Sequence, residues 1–587
     1  MLDVVIRGGT VIDGTGVPGV TGDVGVRDGR IVSVGRVDEA ARREVDADGC
    51  LVTPGFVDVH THYDGQVTWD DALEPSATNG VTSVVMGNCG VGFAPVRPGD
   101  TDALIDLMEG VEDIPGSALH VGMPWGTWES FADYLDLLDG REYALDVGTQ
   151  LPHGSLRFYV MGERGAANED ATAEDLEQMT ALVQQALEAG ALGVSTSRTI
   201  GHRSVSGRPV PGTFAAEDEL LALARGMRSA GSGVFEAIVA GTIGRLDGLG
   251  GEKATPLEEV PLLEAVSTAS GRPVTFTVAQ LFEDPGHWRR VLDAAAEANG
   301  RGARLHPQII PRSVTIMTNL DTYHLFRGRP TYEKVADLPL AERVAEMRRP
   351  EVRDAILAER PAAGARPDLS DNLTALFSVA LPLTFPLVEP VDYEPPLDAS
   401  VTARAFALGV DPEAHMYDLL LADEGRTFYA VLGSNYVGGS LEVCRDMLLA
   451  PHTVTGLSDA GAHVNLISDC SASTFHLTHW GRDRTRGERV PVEHLVAKLT
   501  SGNARLYGLD DRGVIAPGLR ADLNVIDHEG LSISAPFLRH DLPTGASRIL
   551  QPARGYVATL VAGEVTREAD TDTGARPGRL IRGPRAA

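Results

Sequence analysis

The segment Thr53-Pro54-Gly55-Phe56-Val57-Asp58-Val59-His60-Thr61-His62 is a short apolar run that ends in two histidines one residue apart. Side chains alternate along an extended chain, so His60 and His62 share a face, about 7 Å apart along the strand. Two neutral imidazoles at the open end of a buried strand can grip one divalent metal. With sixteen histidines in the chain, a chance His-x-His is unremarkable; the Pro-Gly break and the apolar run before it set this pair apart.

Further candidates sit at comparable places. Val85-Met86-Gly87-Asn88-Cys89-Gly90 carries an apolar strand into a thiol held between glycines. A lone cysteine is ordinarily a small core residue, but a thiolate at a turn is also a zinc ligand. Leu457-Ser458-Asp459-Ala460-Gly461-Ala462-His463 ends another apolar run with a carboxylate. Asp459 is suited to ligate the metal and to act as general base, because a carboxylate beside an activated water can take its proton. The bland reading of Ser-Asp at such a turn is a helix cap. His463 is either a contact to a substrate carbonyl or an ordinary loop histidine. His153, in Leu151-Pro152-His153-Gly154, is a further candidate contact. Arg198 and Arg312 are candidate partners for a substrate carboxylate, since a guanidinium fork matches one in two places; each could equally be structural.

These groups need a frame. Strand-like runs at Phe56 to His60, Val81 to Met86, Leu145 to Leu151, Ala191 to Thr196, Gly233 to Val239, Val274 to Val278, Ala303 to Ile310 and Thr453 to Leu457 alternate with helical patterns. Eight such units predict an α/β fold, a (β/α)8 TIM-like barrel with its chemistry at the C-terminal strand ends. An insertion over about 311–451 separates the last two strands; its helical pattern Leu340 to Ala355 and proline-dense connectors suit a lid or a subunit contact. Both chain ends are strand-rich, with Asp13-Gly14 and Asp28-Gly29 marking hairpin turns. The simplest arrangement pairs residues 1–54 and 511–571 into a small β-sandwich around a barrel domain at 55–510. Residues 572–587, rich in Arg, Gly and Pro, read as an extended arm or disorder.

Composition bounds the function class. The chain has 587 residues, 43% of them apolar, and 82 acidic against 51 basic residues for a net charge of -31. Such a surplus argues against nucleic acid and anionic membrane surfaces as partners. Four scattered cysteines make no disulfide framework, and no stretch of about 18 apolar residues is present. The expectation is a reduced, cytoplasmic enzyme that acts on a small molecule and forms a homo-oligomer.

The chain resembles the amidohydrolase superfamily, in its N-acyl-D-amino-acid deacylase (D-aminoacylase) branch. The resemblance rests on Gly8-Gly9-Thr10-Val11-Ile12-Asp13-Gly14-Thr15-Gly16, on Pro54 to Asp64, and on Gly87-Asn88-Cys89-Gly90. It continues through Met108 to Gly116, Gly190 to Thr196 and Ile515 to Leu523. It implies a barrel with a small sandwich, zinc, and hydrolysis of a C–N amide bond. It also implies that Cys89 takes the metal-bridging role that a carboxylated lysine fills in other branches. The family's metal histidines on strands five and six have no counterpart here, where Gly233 to Ala240 and Pro273 to Gln280 contain none. Glu236 and His306 are the residues that could replace them. The expected site is therefore His60, His62, Cys89 and Asp459 around one or two Zn2+, with an N-acyl or cyclic amide as substrate. A catalytically degenerate member with a binding or assembly role is the competing expectation.

Overall fold

The computed structural model describes residues 1–361 and 369–584, and residues 369–372 in backbone only. Eight strand segments run parallel through its centre: β1 (Phe56–Asp58), β2 (Val81–Met86), β3 (Asp146–Thr149, continued as Leu151–Pro152), β4 (Gly193–Ser197), β5 (Val234–Ile238), β6 (Val274–Thr277), β7 (Leu305–Ile309) and β8 (Val454–Thr455). They form a three-stranded sheet, β1-β2-β3, and a six-stranded one from the second half of β3 to β8. β3 thus belongs to both. At the other side the segment after β1 meets the segment after β8: Thr61 bridges Ala460 in parallel, and the His62 amide donates to the Ala460 carbonyl at 2.8 Å.

These strands are buried on both faces, which is why they read as continuous apolar runs rather than alternating ones. β2 spans the whole of its predicted run, and the others start or stop within a few residues of theirs. β1 and β8 are the exceptions in length. The chain after each leaves the ladder early to build the site.

Both ends of the chain share one nine-stranded sheet, joined where Leu51–Pro54 pairs antiparallel with Leu523–Ile526. Asp28 and Gly29 take φ of 51° and 72°, the left-handed pair that a two-residue hairpin requires. Asp13-Gly14 differs. It lies in a longer connection between Leu2–Val11 and Val20–Arg27, where the Asp13 carboxylate caps the Thr15 amide at 2.8 Å.

The segment between β7 and β8 carries its own three-stranded antiparallel sheet (Thr315–Thr318, Phe428–Leu432, Thr384–Leu387) and a second apolar core around Phe326, Met347 and Tyr417. The helical pattern from Leu340 splits into Leu340–Met347 and Pro350–Ala358, because Pro350 has no amide to continue the first helix and instead opens the second. The C-terminal arm, as far as residue 584, is extended and paired: Gly578 bridges Tyr143, Leu580 bridges Val147, and the Arg579 amide donates to Asp146. Among the described residues no helix is long and apolar enough to cross a membrane.

Candidate metal centre and active site

His60 and His62 leave β1 with their ring centroids 5.3 Å apart, both buried. Each turns Nε2 toward the Cys89 sulfur, at 3.3 and 3.6 Å. Among the described residues, one donor atom from each of these three side chains falls within 4.8 Å of the other two.

The turn that delivers the thiol is strongly determined. Cys89 has φ of 55°, and the glycines flanking the Asn-Cys pair have φ of 77° and 67°. A Cβ at Gly87 would lie 2.4 Å from the Gln150 carbonyl oxygen, and one at Gly90 would lie 2.8 Å from the Ser197 nitrogen. Asn88 locks the turn by donating to the carbonyls of Thr61 and Val85, at 3.0 and 2.9 Å. The Cys89 amide donates to Glu236 at 3.1 Å, and the Gly90 amide to the Ser195 hydroxyl at the same distance.

Asp459 approaches from the end of β8. Its Oδ1 lies 3.3 Å from His60 Nε2 and 3.7 Å from His62 Nε2, and it is buried without a hydrogen-bond partner. Its φ of 47° and the donation of its amide to the His60 carbonyl hold it there. The far side of the His60 ring is hydrogen-bonded, while that of His62 faces a carboxylate oxygen without a closed hydrogen bond. Gln308 Oε1 lies 2.6 Å from His60 Nδ1, and Glu112 Oε1 lies 3.4 Å from His62 Nδ1.

The charge balance is lopsided. Burial raises the carboxyls of Glu236 and Asp459 to about 8 and that of Asp64 to about 7. Burial and the neighbouring acids push Glu112 and the Cys89 thiol well above their ordinary ranges. The same burial lowers His60 to about 4, and burial with the neighbouring histidines holds His62 well below the ordinary imidazole range. Among the described residues, no lysine or arginine is a main contributor to the shifts of these seven. Acids crowded with neutral imidazoles, with no cation of the protein's own, are a donor set that a divalent ion would satisfy. The residues present fit a soft-to-borderline metal such as zinc.

The other expected residues are dispersed. Glu236 comes to the centre, but on the Nδ1 side of His60, 3.9 Å away, where it holds the Cys89 turn. His306 lies two residues before Gln308 on β7, and its ring faces His452, with centroids 6.5 Å apart. Arg198 is paired with Glu259 and the Ala215 carbonyl. Arg312 is fully buried against Asp469, Ser471 and the Ser468 carbonyl, over the Tyr393 ring. His463 turns Nε2 toward Glu112 Oε2 at 3.5 Å.

His153 is closed off, with Nδ1 2.9 Å from the Thr196 hydroxyl and Nε2 2.9 Å from Glu219 Oε1, which also accepts from Arg157. Burial alone would raise the Glu219 acid, but the hydrogen bonds and charges of His153 and Arg157 outweigh it and hold it at about 2. A depressed folded-state pKa stabilises above the unfolded value and loses that stability as pH falls toward the folded one. The contribution, about 3 kcal/mol, should therefore fade between pH of about 4.5 and about 2. Melting temperatures of the native chain and Glu219→Gln should differ near neutrality and converge as the medium is acidified below about pH 4.5. Parallel curves would refute the assignment.

Sequence reasoning missed Glu112, Gln308, Asp64 and His202. His202 binds the Ser197 hydroxyl at 3.0 Å and is electrostatically coupled to His60, His62 and His463. Gln308 was within reach of the argument, since it falls near the end of a correctly located strand. Glu112 was not, because it comes from a helix.

The sequence matches the amidohydrolase family over residues 43–567. D-aminoacylase of Alcaligenes xylosoxydans xylosoxydans is 37% identical over 195 residues, covering 33% of this chain and 37% of that one. N-acyl-D-glutamate deacylase of the same organism is 36% identical over 229 residues, 38% of this chain and 41% of that one. The matched stretch thus spans well under half of either relative. In three dimensions a D-aminoacylase structure, described for its binuclear metal centre, superposes with a TM-score of 0.64 at 24% identity, covering 99% of this chain and 100% of that one. The N-acyl-D-glutamate deacylase of Bordetella bronchiseptica, complexed with zinc and a phosphonate inhibitor, gives 0.63 at 23% identity and 99% coverage of both. The α/β fold is that of these proteins, and with nearly its whole length matched, the chain belongs to the amidohydrolase family.

Proposed function

We propose that the chain is a metal-dependent hydrolase that cleaves the amide C–N bond of a small N-acyl or cyclic amide substrate. The observation that carries this reading is the buried cluster of His60, His62 and Cys89 with the unpartnered Asp459 oxygen against both imidazoles. Zinc, one or two ions, is the metal the donor set suits, and Glu236 is a candidate additional ligand. The ion would supply Lewis-acid polarisation of the amide and acidify water. Asp459 takes a proton as water attacks the carbonyl carbon and returns it to the leaving nitrogen. His60 and His62 would hold the ion through Nε2, and the buried walls around them would keep bulk water from competing. The relatives' names make N-acyl-D-amino acids the first class to screen.

The parallel segments β1 to β8, with the contacts joining the chain after β1 to the chain after β8, support reading the two sheets as one (β/α)8 barrel over 55–510. The nine-stranded sheet, which branches where Ala41–Asp46 pairs with Leu2–Val11, supports a small β-sandwich from residues 1–54 and 511–571. We further take the protein to be a cytoplasmic homo-oligomer whose partners are small molecules.

Elemental analysis of the purified chain tests the proposal. One or two equivalents of zinc should be present, and His60→Ala should fall below about a tenth of that, since one lost donor from a small ligand set cripples the site. A chain that neither carries nor takes up metal would instead support a degenerate member with a binding role.

A further inference from the structure

Glu112 is a strange residue for its position. It closes the helix Thr101–Glu112, where the backbone dipole disfavours a negative charge, and its side chain is only 1% exposed. Among the described residues no arginine or lysine pairs with it, and its Oε1 has no hydrogen-bond partner. Its placement is nevertheless well supported. Asp113, at φ of 52°, ends the helix, and its carboxylate accepts from the Tyr323 hydroxyl at 2.7 Å and the Asn465 amide at 3.2 Å. The His463 amide donates to the Glu112 carbonyl. Two elements distant in sequence therefore clamp a buried carboxylate beside the cluster.

What it faces is two imidazoles. Oε1 lies 3.4 Å from His62 Nδ1 and Oε2 lies 3.5 Å from His463 Nε2, ion-pair distances rather than closed hydrogen bonds, and Oε1 and His62 Nδ1 have no hydrogen-bond partner among the described residues. A neutral histidine that offers Nε2 to a metal must carry its proton on Nδ1, and an acceptor there fixes both tautomer and ring orientation. His60 has a neutral acceptor for this purpose, the Gln308 amide oxygen at 2.6 Å. His62 has a carboxylate, the stronger base.

We propose that Glu112 is a positioning residue that holds His62 with Nε2 toward the metal and, through its second oxygen, ties His463 to the same carboxylate. His463 then carries its proton on Nε2. That leaves Nδ1, buried and without a partner, as a hydrogen-bond acceptor suited to a substrate N–H rather than to a carbonyl oxygen. The inference rests on the metal-site reading above.

The test is the zinc affinity of the full-length chain, measured with Zn2+ alone by chelator competition, in the native protein, Glu112→Gln and Glu112→Ala. Both variants should bind zinc about 10–100-fold more weakly, with the glutamine variant less affected because it keeps an oxygen acceptor. The metal-free variants should melt no lower than the native chain, since a buried uncompensated acid has been removed. The isosteric glutamine keeps the test meaningful if the alanine variant fails to fold. A loss below roughly tenfold in the variants that fold overturns the assignment. Failure of the native chain to bind zinc would instead overturn the proposed function beneath it.

Discussion

Asp459→Asn should reduce turnover of an amide substrate by about 10²–10⁴-fold, the range for losing a positioned proton acceptor and donor. The loss should fall on kcat rather than KM, because the interaction is made while the proton moves and not while the substrate merely sits bound. The metal-free variant should also melt higher than the native chain. Asp459 Oδ1 is buried without a partner, and burial together with Asp469 and Asp58 raises its acid to about 8. Removing a carboxyl so placed relieves the fold while it disables the chemistry, which is the usual trade at a working site. Steady-state kinetics and thermal melts on one preparation would check both signs together. An activity loss of less than tenfold would remove Asp459 from its role as general base.

Arg312→Ala should be among the most damaging changes outside the metal cluster, costing about 3–5 kcal/mol. The guanidinium is fully buried, bonds Asp469 at 2.6 and 3.2 Å, also reaches Ser471 and the Ser468 carbonyl, and lies 3.9 Å above the Tyr393 ring. Deleting it strands a carboxylate in a dry interior. The double variant Arg312→Met/Asp469→Leu removes both charges and should recover most of the lost melting temperature, since a buried pair can be replaced by apolar groups of similar volume at little cost. If the single variant melts like the native chain, or the double variant melts no higher than the single one, the pair does not have this role.

The arginine illustrates a wider limit. As a residue type at a strand end it is a reasonable carboxylate receptor, and nothing local distinguishes a free guanidinium from an occupied one. Its partner lies 157 residues along the chain. His153 is occupied in the same way, because Glu219, 66 residues later, lies 2.9 Å from its Nε2. The sequence pattern reports what a side chain can do, and the fold decides whether another side chain has already claimed it.

Several features were legible without tertiary structure because their causes are local. Buried parallel strands bury both faces, so their apolar runs stand out, and β2 and β4 to β7 fell within two residues of their expected bounds. The Asp28-Gly29 turn follows from left-handed φ values that glycine and aspartate tolerate. His60 and His62 do come to one side, although both lie past the end of β1, and the glycine-flanked turn drew attention to Cys89 from sequence alone.

Only the tertiary structure decided which nitrogen of each histidine faces the cluster, that Glu236 stands behind His60 while His306 turns away toward His452, and that a carboxylate from a helix completes the surroundings of His62. Gln308 reaches His60 across 248 residues, and no periodicity spans such a distance. Local spacing fixes the direction of a side chain. The environment that sets its proton, its charge and its partner is assembled from segments that meet only when the chain has folded.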